Sequence, residues 1–340
     1  MRYPTRFPDE HPDDPRIYIP NIEFYITNVC NLTCPQCNRF NDYDFKGWQR
    51  WSDYESQYTE WATKVRLQRV TILGGEPLLN PTICDWIIGL NRLWGKKVNV
   101  LTNGTRLNHV PGLYEALLNY REEDGNWIGV SVHNIDDLPQ YFEEIRKFLR
   151  GDITFYEGKE ALKSDGTRAT WGADYAFVDS NGVHVHVWVY TEFSKSAIVT
   201  NDQGQLTLHQ SDPIVAHENC GFQKFQSYHF IWAKLYKCGP AGLLPEFDKQ
   251  YPLDLSEHDR FLLSGLRRYK PLTIDEFATR GRQFIDRIDD PVEQCKFCPE
   301  NVDAHTIVSF NKAKNSTSTF NIKADSIKTI NINNGVYDGN

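Results

Sequence analysis

No stretch of this sequence approaches the roughly 18 consecutive apolar residues that a membrane span needs, which argues against a transmembrane helix. The N-terminus, MRYPTRFPDEHPDDPR, lacks the apolar core of an export signal. A cytoplasmic location is therefore expected, and there the eight cysteines suit clusters or metals better than disulfides. Basic residues are in deficit, with 37 Lys and Arg against 45 Asp and Glu, a net charge of −8 and a pI near 5.7. That balance argues against a partner bound through a phosphate backbone, so no nucleic acid is expected. The short basic runs, Arg267-Arg268 and Lys312 to Lys314, read as solvated faces. The length of 340 residues allows one large domain, or a domain with a smaller appendage. Aromatics at 13%, nine of them Trp, supply a sizeable core.

What the chain does have is NVCNLTCPQCNRF, residues 28–40, in which Cys30, Cys34 and Cys37 follow a strand-like apolar segment. Three clustered thiolates suit an iron–sulfur cluster that leaves one iron without a protein ligand. An open metal position points to chemistry, whereas structural sites are closed. The nearest histidines in sequence, His11 and His109, lie far from the run; on spacing alone zinc stays an alternative. A second motif, Gly74-Gly75-Glu76-Pro77, ends the apolar run 71–73. Paired glycines allow backbone to approach a ligand closely, and Glu76 offers a carboxylate to an ammonium group.

In this order and at this distance the two motifs resemble those of the radical S-adenosylmethionine (SAM) enzymes. The resemblance implies that Cys30, Cys34 and Cys37 hold a [4Fe-4S] cluster and that Gly74, Gly75, Glu76 and Pro77 meet the SAM amino group. Gln36 stands where such enzymes commonly place an aromatic residue near adenine. Ser131 and His133 occupy the strand end at which relatives carry a Ser-x-Asp-like pair for the SAM ribose. A satisfied histidine at a capped strand end is the plainer reading of His133.

Residues 1–20 are rich in proline and charge and read as a surface arm. The pattern then predicts strands over 22–27, 68–73, 98–101 and 128–133. Helices are expected over 48–65, with Ser52 to Glu55 as a capping box, and over 80–94, opened by Asn80-Pro81. Further helices are expected over about 110–120 and 138–149. This rhythm argues for βαβ units and an α/β fold, a partial (β/α)6 barrel over residues 21–195. Ligands of such sheets bind at the C-terminal strand ends, where Cys30, Gly74, Thr102 with Asn103, and His133 all fall. Residues 151–174 read as an inserted loop or hairpin. VHVHVWVY, residues 183–190, alternates cleanly, with a valine face for packing. The face bearing His184, His186, Trp188 and Tyr190 should look into the barrel. Two histidines at this spacing suit a metal, but barrel-lining histidines are commoner.

Cys84 sits among Ile83, Ile87 and Ile88 and reads as a buried, inert thiol. Cys220, Cys238, Cys295 and Cys298 form a separate group with one Cys-x2-Cys pair, fit for a closed site of zinc or a fully ligated cluster. This group is similar to the C-terminal Twitch domain of radical SAM dehydrogenases, which implies an auxiliary [4Fe-4S] cluster in a small α+β unit over 196–303. The larger SPASM version needs more cysteines than remain. Residues 304–340 turn to Asn, Ser, Thr and Lys, a polar tail in which TSTFNIKADSIKTINI alternates weakly.

The expected activity is that of a radical SAM oxidoreductase. The resemblance implies cleavage of SAM to a 5′-deoxyadenosyl radical and hydrogen abstraction from a small polar, sugar- or cyclitol-like substrate. An electron would pass to the auxiliary cluster, with flavodoxin or ferredoxin as external one-electron donor. His184, His186, Tyr190 and Glu192 are the candidates to position substrate or take a proton. A peptide modifier of the same class is a rival, disfavoured because only about twenty residues precede the first strand, too few for a leader-binding domain. A radical epimerase needs a thiol near the cavity, and Cys84 sits mid-helix. A non-catalytic iron–sulfur or zinc protein is the rival of a different kind.

Overall fold

In the computed structural model, which describes residues 9, 11–43, 45–120, 125–157, 174–190, 192–194, 196–265, 267–301 and 304–306, most strands join one large sheet. The strands begin with β1 (Ile17–Tyr25), β2 (Val65–Leu73), β3 (Val98–Thr102), β4 (Trp127–Val132), β5 (Ile153–Glu157), β6 (Tyr175–Asp179) and β7 (His184–Val189). There follow β8 (Glu192–Ser194), β9 (Ile198–Thr200), β10 (Leu206–Leu208), β11 (Ser227–Ile231), β12 (Lys234–Tyr236) and β13 (Ala304–Thr306). The first four helices are α1 (Trp51–Lys64), α2 (Ile83–Trp94), α3 (Leu113–Leu117) and α4 (Leu138–Phe148). Five more follow β10: α5 (Pro213–Glu218), α6 (Gly221–Phe225), α7 (Gly239–Gln250), α8 (Glu257–Ser264) and α9 (Phe277–Asp286).

The sheet runs β12-β11-β1-β2-β3-β4-β7-β6-β5. From β11 to β7 neighbours are parallel, while β12 at one end and β6 and β5 at the other are antiparallel. Helices α1 to α4 make the crossovers that parallel pairing requires. One face of the sheet carries Ile22, Phe24, Val70, Ile72, Val98, Val100, Ile128, Val130, Val185 and Val187, all buried in one core with Trp61, Trp86 and Ile145 of the helices. Each such side chain is worth about 1.5–3 kcal/mol of burial, and the valine face of β7 belongs to this core as its alternation predicts. The opposite face, set by the same period, presents Glu23, Thr71, Asn99, Trp127, His184 and His229 in register.

Several boundaries differ from the sequence reading. Residues 17–20, expected in the arm, begin β1, because Arg66 of β2 stacks on Tyr18 and Ile17 pairs with Val65. The capping box of α1 does not form: Arg50 is the N-cap and Ser52 Oγ turns to Asp53. Trp51, buried against Trp86 at 5.1 Å between ring centroids, fixes where that helix starts. Helix α2 starts at Ile83, with Asn80 Oδ1 accepting from the Thr82 amide at 2.9 Å, and the first-turn proline is Pro77 of a 3₁₀ turn. The insertion expected over 151–174 contributes β5, which pairs with β6; residues 158–173 lie outside the described residues.

The sheet also spans the boundary expected near residue 195. β11 is inserted beside β1, and Phe230 joins Phe24 at 5.2 Å and Trp61 at 5.0 Å in the main core. A second core forms where the cysteine loop meets α7: Phe40 and Tyr43 pack on Phe247 at 5.4 and 5.0 Å, with Phe297 buried nearby. Of the polar tail, residues 304–306 pair with β8, and the alternating segment from Thr317 lies outside the described residues.

Candidate cluster and cofactor site

The loop after β1 is shaped by backbone bonds that turn it back on itself. The Cys37 amide donates to Cys34 O at 3.2 Å and the Phe40 amide to Cys37 O at 2.9 Å. Gln36 and Phe40 take left-handed backbone, with φ of 63° and 62°. Burial pushes the thiols of Cys30, Cys34 and Cys37 above their ordinary pKa, and at Cys34 the other two thiols add to the rise. Three grouped, protonated thiols give up their protons when a metal group takes them as ligands.

The GGEP turn is docked onto this loop. The Gly75 amide donates to Thr27 O and the Glu76 amide to Val29 O, both at 2.7 Å. A Cβ on Gly74 would stand 2.6 Å from Thr27 O, and one on Gly75 would stand 2.4 Å from Val29 O. The paired glycines allow a close approach of backbone to the cysteine loop itself. Glu76 is wholly buried; its oxygens accept from the Leu78 amide at 2.9 Å, Thr102 Oγ1 at 2.6 Å and the Asn103 amide at 2.8 Å. Burial outweighs these donors and raises its carboxyl to about 7. Three donors leave one of about four lone-pair positions for an ammonium group. Pro77 opens the 3₁₀ turn behind it.

Asn103 extends the site. Its Nδ2 lies 3.9 Å from Cys30 Sγ and donates to Asn31 Oδ1 at 2.9 Å, while its Oδ1 accepts from Thr105 Oγ1 at 2.7 Å. Asn31 in turn donates to Thr105 Oγ1 at 2.8 Å. Asn31 and Thr105 were missed in the sequence, although Asn31 sits inside the cysteine run. Gln36 Oε1 accepts from the Ser196 amide at 3.0 Å, which ties the loop to the chain beyond β8.

The remaining candidates are spread along β4 and β7. Ser131 is half-buried opposite Trp188, and His133 Nδ1 lies 3.1 Å from Tyr190 O, with burial lowering its pKa. His186 is buried and stacks on Trp127 at 4.7 Å, so this ring packs inside the fold. His184 lies 6.0 Å from His186, centroid to centroid, and Tyr190 is 47% exposed. Glu192 lies in β8, and its side chain lies outside the described residues. The structure therefore groups Cys30, Cys34, Cys37, Glu76, Thr102 and Asn103, and sets His184, His186 and Tyr190 along a separate strand.

The second cysteine set converges from distant parts of the chain. Cys220 is the N-cap of α6 and Cys238 that of α7; Cys295 and Cys298 flank the end of a 3₁₀ turn, Glu293–Phe297. All four line one cavity of about 50 Å³ together with Phe222, Lys237 and Tyr269. That exceeds the roughly 10–15 Å³ one water requires, so it suits a group of several atoms. Burial raises the thiol of Cys238 to about 12, with Cys220 and Cys295 adding to the rise. Among the described residues no three Cys, His, Asp or Glu side chains close around a single-ion position. Cys84, half-buried in α2, packs against the main core with Sγ 3.6 Å from Pro111 O.

Among the described residues no helix is long and apolar enough to cross a membrane. Residues 24–164 match the Radical SAM superfamily. The Probable GTP 3′,8-cyclase of Methanocaldococcus jannaschii is 29% identical over 136 residues, 40% of this chain and 42% of that protein. The S-adenosylmethionine-dependent nucleotide dehydratase of Flammeovirga pacifica is 28% identical over 123 residues, 35% of this chain and 40% of that protein. The chain therefore spans about two fifths of the length of these curated relatives. Streptococcus suis SuiB bound to S-adenosylmethionine is 18% identical, with a TM-score of 0.30 over 39% of this chain and 29% of that one. The cysteine loop, the GGEP turn docked on it and the family match over the same segment agree: residues 24–164 form a radical SAM superfamily domain.

Proposed function

We propose that this chain is a radical SAM oxidoreductase with two iron–sulfur centres, acting on a small polar substrate. Cys30, Cys34 and Cys37 would hold the [4Fe-4S] cluster that binds SAM, and Glu76 would take the SAM ammonium. Bound there and reduced by one electron, SAM supplies a 5′-deoxyadenosyl radical able to remove a substrate hydrogen. Thr102 and the Asn103 amide hold the Glu76 carboxylate in place, and Asn103 Nδ2 stands beside Cys30 Sγ. Gln36, Ser131 and His133 remain the candidates for the adenosine portion. Tyr190, exposed just past the C-terminal end of β7, is better placed to meet substrate than the stacked His186 or His184 at the opposite end of that strand.

The observation that carries the oxidoreductase reading is the meeting of Cys220, Cys238, Cys295 and Cys298 around one cavity. Four thiolates would saturate a cluster, leaving it no position for substrate and suiting it to accept an electron. A flavodoxin or ferredoxin would serve as donor to the first centre. Substrates of the sugar, cyclitol or nucleotide-linked class suit the polar face of β4 and β7, and the names of the two curated relatives favour a nucleotide among them. Anaerobic reconstitution tests this reading. About eight irons are expected in the wild type, and about four when either cysteine set is replaced by alanine, as two [4Fe-4S] centres require. Four irons in the wild type, with zinc at the C-terminal set, would remove the electron acceptor.

A further inference from the structure

Residues adjacent in sequence to both cysteine sets meet at one buried cation. Arg39, two residues after Cys37, is 8% exposed, and its Nη2 donates to Glu23 Oε2 at 2.8 Å. His229 Nε2 approaches the same oxygen at 2.8 Å from β11. On the other flank the guanidinium lies 5.0 Å from the ring centroid of Phe222, two residues after Cys220, and Phe222 meets His229 edge-on at 5.4 Å. Gly239, directly after Cys238, leaves room for the cation: a Cβ there would stand 2.6 Å from Arg39 Nη1. That Nη1 is buried with no hydrogen-bond partner among the described residues.

An arginine is almost never buried without compensation. Here Glu23 supplies one carboxylate and Phe222 one aromatic face, while Nη1 stays uncommitted on the side of the Cys238 turn. A fixed charge in a low-dielectric interior acts over longer distances than one in water. We infer that Arg39 is a positioning residue shared by the two cysteine sites, a common counter-charge that sets the redox behaviour of both centres. The inference rests on the two-cluster reading above. A thiolate-ligated cluster gains negative charge on reduction, so a nearby cation favours the reduced form, and neutralising the carboxylate beside that cation strengthens the effect.

The test is an EPR-monitored redox titration of the reconstituted full chain, with iron content and thermal unfolding measured alongside. Arg39→Met should lower the midpoint potentials of both centres, and Arg39→Lys should return them toward wild type. Glu23→Gln should move both in the opposite direction. Lys237→Met, which removes a cation lining the C-terminal cavity, should lower that centre alone. Two intact iron–sulfur signals, of which Arg39→Met or Glu23→Gln shifts one or neither, would overturn the shared role and leave the two-cluster reading standing. A wild type with a single signal would overturn both.

Discussion

Gly75 carries the tightest steric demand near the cysteine loop. Alanine there would bring Cβ to 2.4 Å from Val29 O and 2.5 Å from Asn41 Oδ1, so the loop must shift. Gly75→Ala should cost about 1–3 kcal/mol and lose iron from the first centre, read as iron per chain after reconstitution. Gly221→Ala, which meets nothing within 4 Å, should leave that iron content unchanged. Asp179 is the counterpart on the far edge: almost fully buried, it accepts from Tyr114 Oη and from the amides of Arg150, Asn181 and Val183. Burial alone would raise its carboxyl, but these four donors outweigh it and hold the pKa below 3.8. Since the folded value lies below the unfolded one, its stabilisation is full above 3.8 and is lost as pH falls through the folded value. Asp179→Asn should cost about 1.5–3 kcal/mol at neutral pH by chemical denaturation, and the difference from wild type should shrink on acidification. The motif residues were legible one by one, because Cys, Gly and Glu at such spacings announce their chemistry. Asn31, Thr105, Arg39 and Glu23 were not, since what they do depends on partners distant in sequence, such as Thr105 for Asn31, 74 positions away, and Glu23 for Arg39, 16 positions away.

At the scale of elements, legibility followed periodicity. β7 reads directly as VHVHVWVY because valines alternate with large polar and aromatic residues, and its valines enter the core as that pattern requires. β11, SYHFI, offers only two side chains to the main core, Tyr228 and Phe230, too few to reveal a period. Its place beside β1 is fixed by long-range contacts instead: Phe230 packs on Phe24, Tyr58 and Trp61, and Asn21 Nδ2 donates to Ser227 Oγ at 2.8 Å. Helix starts were misjudged for a related reason, as buried aromatics such as Trp51 override local capping signals. Phe230→Ala should cost about 3–5 kcal/mol, the loss of a large, fully buried ring. Because β11 shares the main core, that loss should lower a single cooperative unfolding transition followed by tryptophan fluorescence. Destabilisation of one of two separate transitions would show that the segment beyond residue 195 unfolds on its own.

For the molecule as a whole, burial raises the pKa values of the thiols of Cys30, Cys34, Cys37, Cys220, Cys238 and Cys298 above the ordinary range. They stay protonated at neutral pH until ligation removes their protons, so iron loading should release protons and weaken as pH falls. Iron retained per chain across a pH series should drop more than tenfold per unit in apparent affinity wherever more than one proton leaves per site. A weakly buffered reconstitution that releases no protons would contradict this. The placement of β11 also bears on how the chain is made. β1 leaves the ribosome first, yet the Asn21–Ser227 contact that completes its outer side spans 206 positions. At about 5–20 residues per second, that edge stays unpaired for roughly 10–40 s of synthesis, with its row of backbone groups open to other chains. Nascent-chain crowding, and any holdase that shields an exposed strand, should therefore govern the yield of this protein more than the stability of its finished fold.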